Sequence, residues 1–233
     1  MSAQESGLVD RVVADLRAYI RKENMKVGDA MPSEQALATQ LGVSRTVARE
    51  AMRALAALGV LQLGNGRRAR VAAMNADAMS ILLDHTVYTG QLSIQQVLDV
   101  RRTLELRTVG LAALRRTDEQ AKQLLEIVDR MFTALRTEPT QIMELDIRFH
   151  TLIARASGNA LYELLVDSYG VITRQTWSIG WHARATEANR EENIRCHERI
   201  ATAIMMQDST KAEAAMTEHF ETAISVLIRA GVT

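Results

Sequence analysis

From residue 76 onward the chain meets a single proline, Pro139, and six glycines. A stretch so poor in helix breakers folds into long helices rather than sheets. Its apolar residues recur at helical spacing, and about seven helices are expected. The first is a connecting helix near 76–89. Ser93-Ile94-Gln95-Gln96 and Thr117-Asp118-Glu119-Gln120 both fit the capping box and start helices at about 94 and 118. Others are expected at roughly 139–156, 160–183, 188–207 and 210–230. A helical bundle of this length is one domain.

The first 72 residues are built differently, with the other six glycines and Pro32. Leu8, Val12, Leu16 and Tyr19/Ile20 define a first amphipathic helix that runs out near Lys26-Val27-Gly28. Ser33 is an N-cap for a short helix to Leu41, Gly42 supplies a tight turn, and Ser44 caps a helix to about Leu58. Val60 to Leu63 reads as a strand, Gly64-Asn65-Gly66 as a hairpin turn, and Arg67 to Val71 as the returning strand. The expected class is mainly α: an N-terminal winged helix-turn-helix domain at 1–75, a connecting helix and linker at 76–92, and an all-helical bundle at 93–233.

Charge supports the division. Residues 1–72 carry 11 Lys and Arg against 7 Asp and Glu, and the remainder 17 against 21. A basic module on an acidic body suggests an anionic partner for the former. On the helix after Ser44, at about 100° per residue, Arg45, Arg49 and Arg53 fall near 0°, 40° and 80°. Val47, Ala51, Ala54, Leu55 and Leu58 fall on the opposite side, between about 180° and 280°. Such a stripe alone is a solvated face. Beginning in the first turn of the second helix of a helix-turn-helix, it lies where recognition side chains meet base edges.

The string PSEQALATQLGVSRTVAREAMRALAALGVL resembles the winged-helix domain of the GntR superfamily, with Pro-Ser-Glu, Val-Ser-Arg and an Arg-Glu-Ala-Leu-like stretch in register over residues 8 to 72. The resemblance implies that Arg45 and Arg49 contact DNA, helped by Ser44, Thr46 and the wing. Arg53 continues the stripe, and Arg67 and Arg68 are the wing's arginines. Relatives often carry Arg where this chain has Gln35, so a contact from that position is weaker or different here. Double-stranded operator DNA with two-fold half-sites calls for two recognition helices, hence a homodimer.

The chain has five histidines. Asp146 and His150, in DIRFH, share one face of a helix a turn apart. His197 and His219 each lie 11 residues from Asp208, in a polar turn. An antiparallel hairpin about that turn brings the two imidazoles level. Three histidines and a carboxylate suit a divalent metal such as zinc, nickel or manganese, although the spacing leaves scattered surface or core histidines as the alternative. His85 and His182 fit no such geometry.

VRRTLELRTVGLAA, DIRFHTLIARASGN, His197-Glu-Arg-Ile and His219 resemble, in order and spacing, the FCD domain of FadR-like members of that superfamily. The resemblance implies a divalent metal ion, zinc first, on Asp146, His150, His197 and His219. It also implies an effector pocket faced by Arg101, whose i,i+4 pairing with Glu105 is compatible with that role. Arg174, Gln175 and Trp177 offer donors and a flat apolar surface to a small carboxylate effector, with a sugar acid such as an aldonate ahead of a simple hydroxy acid. Trp181 reads mainly as core or interface.

These features point to a metabolite-responsive, DNA-binding transcriptional regulator, a repressor in the first reading. The competing reading is a metal-dependent enzyme of small-acid metabolism with an accessory DNA-binding domain, because three histidines and an aspartate leave positions open for water or substrate. No general acid or base is spaced beside the ligands, as in His-Glu-x-x-His, which argues for no enzymatic activity. Between Tyr19 and Tyr88 there is no aromatic residue to stack unpaired bases, which disfavours single strands. Cys196 is the single cysteine and reads as an inert thiol. Without an apolar leader or a spanning run of about 18 residues, a cytoplasmic protein with no membrane partner is expected.

Overall fold

The computed structural model describes residues 3–64, 67–138 and 140–232. The chain forms two compact units, Met1–Ala78 and Met79–Thr233. No helix among the described residues is long and apolar enough to cross a membrane.

The first unit contains α1 (Ala3–Lys22), α2 (Glu34–Leu41), α3 (Arg45–Ala57), β1 (Leu61–Gly64) and β2 (Arg67–Val71). Ser33 caps α2 by accepting from Ala36 N–H, and Ser44 caps α3 by accepting from Val47 N–H, both at 3.2 Å. Gly42 closes α2 at φ 64°, a left-handed conformation that suits glycine. The strands pair antiparallel with Leu61 opposite Val71 and Gln62 opposite Arg70. Asn65 and Gly66 of the expected hairpin turn lie outside the described residues. Val12, Leu16, Met31, Leu37, Leu55 and Leu61 form the buried centre.

Two expectations in this unit shift. Helix α1 stops at Lys22 because Asn24 takes φ 51° and Met25 N–H reaches back to Ile20 O at 3.0 Å, a left-handed closure that asparagine tolerates. Leu58, placed on the core stripe of α3, is exposed. The helix ends one residue earlier, and the left-handed turn at Gly59 lifts Leu58 off the face that buries Ala48, Ala51, Met52 and Leu55.

The second unit holds α4 (Asp77–Tyr88) from Met79 on, then α5 (Ile94–Arg115), α6 (Asp118–Thr137), α7 (Gln141–Ala156), α8 (Ala160–Ser168), α9 (Gly170–Ala183), α10 (Glu187–Met205) and α11 (Ser209–Arg229). Both capping boxes form, Ser93 with Gln96 and Thr117 with Gln120. Pro139 lies outside the described residues. Helix α5 packs on α7 and α11, and α10 packs on α6 and α11. Leu124, Met131, Ile142, Phe149, Ile153, Ile200 and Met216 fill the bundle's interior.

The single helix expected over 160–183 is two, broken at Tyr169. Ser168 turns its hydroxyl back onto Leu165 O at 2.6 Å, and Gly170 follows, a Ser/Gly combination that bends helices. A Cβ on Gly170 would lie 3.3 Å from Ile147 Cγ2, so α9 starts in close approach to α7, where an added side chain would need Ile147 to give way by a few tenths of an ångström. Between α10 and α11, Gln207 takes φ 56° and Asp208 caps α11 through Lys211 N–H at 2.9 Å.

Candidate metal centre and DNA-reading surface

Helix α7 carries Asp146 and His150 inward beside the buried Phe149, while α10 supplies His197 and α11 His219. One ligand atom from each of the four lies within 4.8 Å of the others. The rings of His197 and His219 are 4.6 Å apart between centroids, and those of His150 and His219 5.1 Å. The three histidines are buried; His85 and His182 stay outside, the latter bonded to Ser178 O at 2.7 Å.

Two of the imidazoles are oriented from behind. His197 Nδ1 donates to Asn193 O at 2.8 Å, which leaves Nε2 facing Asp146 Oδ1 at 2.9 Å. His150 Nδ1 bonds the Glu105 carboxylate, leaving Nε2 3.9 Å from Asp146 Oδ1. His150 Nε2 and His219 Nδ1 are buried without a hydrogen-bond partner among the described residues. Glu105 is completely buried and also accepts from Arg101 Nε at 2.5 Å. Its place behind His150 was missed in the sequence, where it reads only as the i,i+4 partner of Arg101.

The electrostatics follow from this packing. Burial alone would push the Asp146 carboxyl up, but the His197 bond and the nearby His150 and Arg101 hold it well below the usual carboxylate range. Glu105 is likewise held down by Arg101 and His150 against its burial. Burial first, then the neighbouring His197 and His150, push His219 well below an ordinary histidine. At neutral pH His219 is therefore an uncharged imidazole with a lone pair to offer.

Beside these groups is a cavity of about 100 Å³, whose wall includes Arg101, Asp146, Thr173, Trp177, Arg184 and His219. Arg101 Nη1 donates to Thr173 Oγ1 at 2.8 Å, and its guanidinium lies 5.6 Å from the Phe220 ring centre. Trp177 stacks on Trp181 with centroids 5.0 Å apart. Arg174, expected at the effector, is elsewhere: it grips Glu144 with two bonds of 2.8 and 2.9 Å on an exposed flank. The reason is helical phase. Thr173, Thr176, Trp177 and Gly180 share the stripe facing the cavity, and Arg174 sits about 100° round from Thr173. Gln175 also turns away, to Asp84. The second arginine on the cavity wall is Arg184, just past the end of α9.

In the first unit a groove of about 730 Å³ is bordered by Gln35, Arg45, Arg49, Arg53, Arg67 and Arg68. Arg45 Nε pairs with Glu34 at 3.0 Å, and Glu50 lies 3.0 Å from Arg53 and 3.7 Å from Arg49. Glu34 and Glu50 hydrogen-bond Arg45 and Arg53, whereas Arg49 Nε has no hydrogen-bond partner among the described residues. Thr46 is exposed at the start of α3, whereas the Ser44 hydroxyl is committed to capping it. Arg70 is tied back to Gly28 O at 2.5 Å and so leaves Arg67 and Arg68 as the wing's outward cations.

A helix-turn-helix with a wing and an arginine-bordered face, in a chain that also carries a helical bundle with a buried Asp/His set, defines a winged-helix DNA-binding regulator with a second, helical unit. Residues 8–71 match the gntR family of bacterial regulatory proteins and residues 96–222 match the FCD domain. The transcriptional regulator LutR of Bacillus subtilis is 29% identical over 89% of this chain and 95% of its own length. The transcriptional repressor NanR of Salmonella newport is 30% identical over 91% of this chain and 82% of its own. The Glc operon transcriptional activator of Escherichia coli K12 is 27% identical over 95% and 89%. Among solved structures, a Streptococcus agalactiae GntR superposes with a TM-score of 0.64 at 24% identity, covering 93% of this chain and 99% of that one. The chain belongs to the gntR family of bacterial regulatory proteins, as a member with an FCD domain, and is a DNA-binding transcriptional regulator. The enzyme reading finds no support in this family.

Proposed function

We propose that this regulator is controlled by a small hydroxylated carboxylate, a sugar acid first among them, held in the bundle cavity beside a divalent metal ion on Asp146, His150, His197 and His219. The observation that carries the metal is the convergence of one ligand atom from each of these four side chains, all within 4.8 Å of one another. With its Nδ1 turned to Asn193 O, His197 presents Nε2 to Asp146 Oδ1 at 2.9 Å. Imidazole nitrogens and a carboxylate oxygen gathered in this way are a donor set that would suit a divalent ion. The partnerless His150 Nε2 and His219 Nδ1 add to the case.

Zinc is the ion proposed first, and nickel or manganese also accept imidazole and carboxylate ligands. When bound, the ion supplies a Lewis-acidic seat for a carboxylate oxygen and an adjacent hydroxyl. Arg101, anchored by Glu105 and Thr173, offers its remaining N–H groups to the other carboxylate oxygen, and Trp177 gives the carbon chain a flat wall. Glu105 and Asn193 are both occupied in orienting histidines, which suits binding rather than proton transfer. Isothermal titration with an aldonate series on metal-loaded and chelator-stripped protein tests the reading. Binding is expected to disappear on stripping and in Arg101→Ala; tight binding of a long-chain acyl acid, or aldonate binding indifferent to both changes, overturns it.

We assign residues 1–75 to operator reading, 76–92 to a connection, and 93–233 to effector binding and self-association, with a homodimer on two-fold half-sites. Repression is the proposed direction, relieved when the effector favours one placement of the two DNA-reading modules over another. Ser44, Arg45, Thr46, Arg49 and Arg53 are proposed to meet the operator from α3, and Arg67 and Arg68 from the wing. Arg49→Ala is expected to weaken specific operator binding by about 1–3 kcal/mol, as loss of a base-edge contact does. Arg68→Ala should instead lower affinity for every sequence and reduce the salt slope by about 1. Fluorescence anisotropy on operator and scrambled duplexes at several salt concentrations separates the two; an Arg49→Ala protein with unchanged operator affinity removes the recognition-helix assignment.

A further inference from the structure

We infer that Arg184 binds a second anionic group of the effector, so that the cavity selects hydroxylated dicarboxylates over monocarboxylate sugar acids. This deepens the effector reading above and rests on it.

Arg184 lines the same cavity as Arg101, Asp146 and His219. Its guanidinium donates to Gly180 O and to Asn193 Oδ1, each at 2.9 Å. Both acceptors are neutral, and among the described residues Arg184 makes no ion pair. The contrast with the other arginine of this cavity wall is chemical: Arg101 has Glu105. A guanidinium has five N–H donors, and two bonds to neutral acceptors leave enough for a carboxylate. Gly180 lets the guanidinium lie close against α9, since a Cβ there would sit 3.3 Å from Arg184 Nη1. Burial pulls the Arg184 guanidinium below its ordinary pKa, and the charge of Asp146 opposes this without cancelling it. A half-buried cation in that position favours an incoming anion.

Charge balance around the cavity leads to the same ligand. Arg101 is matched by Glu105, whereas Asp146 and Arg184 offset one another only as distant charges. A divalent ion on the donor set then leaves the site with a double positive excess. A monocarboxylate neutralises half of it, and a dicarboxylate neutralises all of it. Asn193 ties the two ends together, since its side chain holds Arg184 while its carbonyl orients His197.

The test is isothermal titration of metal-loaded, full-length protein with matched pairs of four-carbon and six-carbon aldonates and aldarates, which differ only in a terminal hydroxymethyl or carboxylate. The wild type is expected to bind one aldarate about 10-fold or more tightly than its aldonate. Arg184→Gln should erase that preference while leaving aldonate affinity within about twofold, and Arg184→Lys should restore part of it. Thermal melting of each variant reports whether the bundle is intact. Equal or tighter aldonate binding by the wild type, or an Arg184→Gln protein that loses both acids alike or keeps the preference, overturns the inference while leaving the effector reading in place. Failure of both acids to bind at all sinks the effector reading and this inference together.

Discussion

Glu105→Ala is expected to be among the most destabilising single substitutions in the bundle, with a loss of about 3–5 kcal/mol. The side chain is fully buried and holds two donors at once, Arg101 Nε and His150 Nδ1. Truncation leaves the buried Arg101 cation with Thr173 as its remaining hydrogen-bond partner and takes the acceptor from an imidazole N–H. In a chain of this size about 2–4 °C of melting temperature goes with each kcal/mol, so a fall of roughly 6–20 °C should be seen. Glu105→Gln keeps the shape and one acceptor oxygen and should lie between the two. Metal affinity is expected to drop as well, by about 10- to 100-fold, because the partner that fixes the His150 ring is gone. Urea unfolding and metal titration of the two variants and wild type decide the matter. A Glu105→Ala protein as stable as wild type would show that the carboxylate is not the keystone its contacts make it.

What could be read from the sequence divides along the line between local and distant interactions. Ser33, Ser44, Ser93 and Thr117 mark helix starts correctly because a cap bonds a backbone N–H only two or three residues away. His197 and His219 were legible for a similar reason: a hairpin about Asp208 makes their register a matter of counting. Glu105 was not, since its bond to His150 spans 45 residues and depends on how α5 packs against α7. Arg174 shows a different failure. Adjacency in the string TRQTW suggested one surface, but neighbours on a helix point about 100° apart, and the cavity stripe passes through Thr173 and Trp177 while skipping Arg174. Arg184 follows the last turn of α9 at φ −83° and ψ 80°, where no periodicity fixes the direction of a side chain. The break at Tyr169 had a local cue in Ser168 and Gly170, whereas the close approach of Gly170 to Ile147 on another helix was not legible.

His219→Ala is expected to remove most of the stability that a metal ion adds to this protein, while costing the metal-free protein little. An ion that binds only the folded chain stabilises it by mass action, by about 4 kcal/mol when present at a thousand times its dissociation constant. That corresponds to roughly 8–16 °C in melting temperature. The His219 imidazole is buried and neutral, with Nδ1 lacking a hydrogen-bond partner among the described residues, so in the absence of metal it holds a desolvated, unsatisfied nitrogen against two other imidazoles. Removing it creates a small void but relieves that burden, and these effects oppose one another. With metal, the loss of a direct ligand should cost more than the roughly 10- to 100-fold in affinity that loss of an outer partner costs. The decisive measurement is therefore a difference: melting temperature with saturating zinc minus that with chelator, in wild type, His219→Ala and His197→Ala, alongside elemental analysis of the purified proteins. The wild-type increment should collapse in both variants, and operator affinity of the effector-free protein should stay close to wild type because the recognition arginines belong to the other unit. Full metal occupancy and an undiminished increment in both variants would mean that three buried histidines and an aspartate share this space for a reason other than a metal ion.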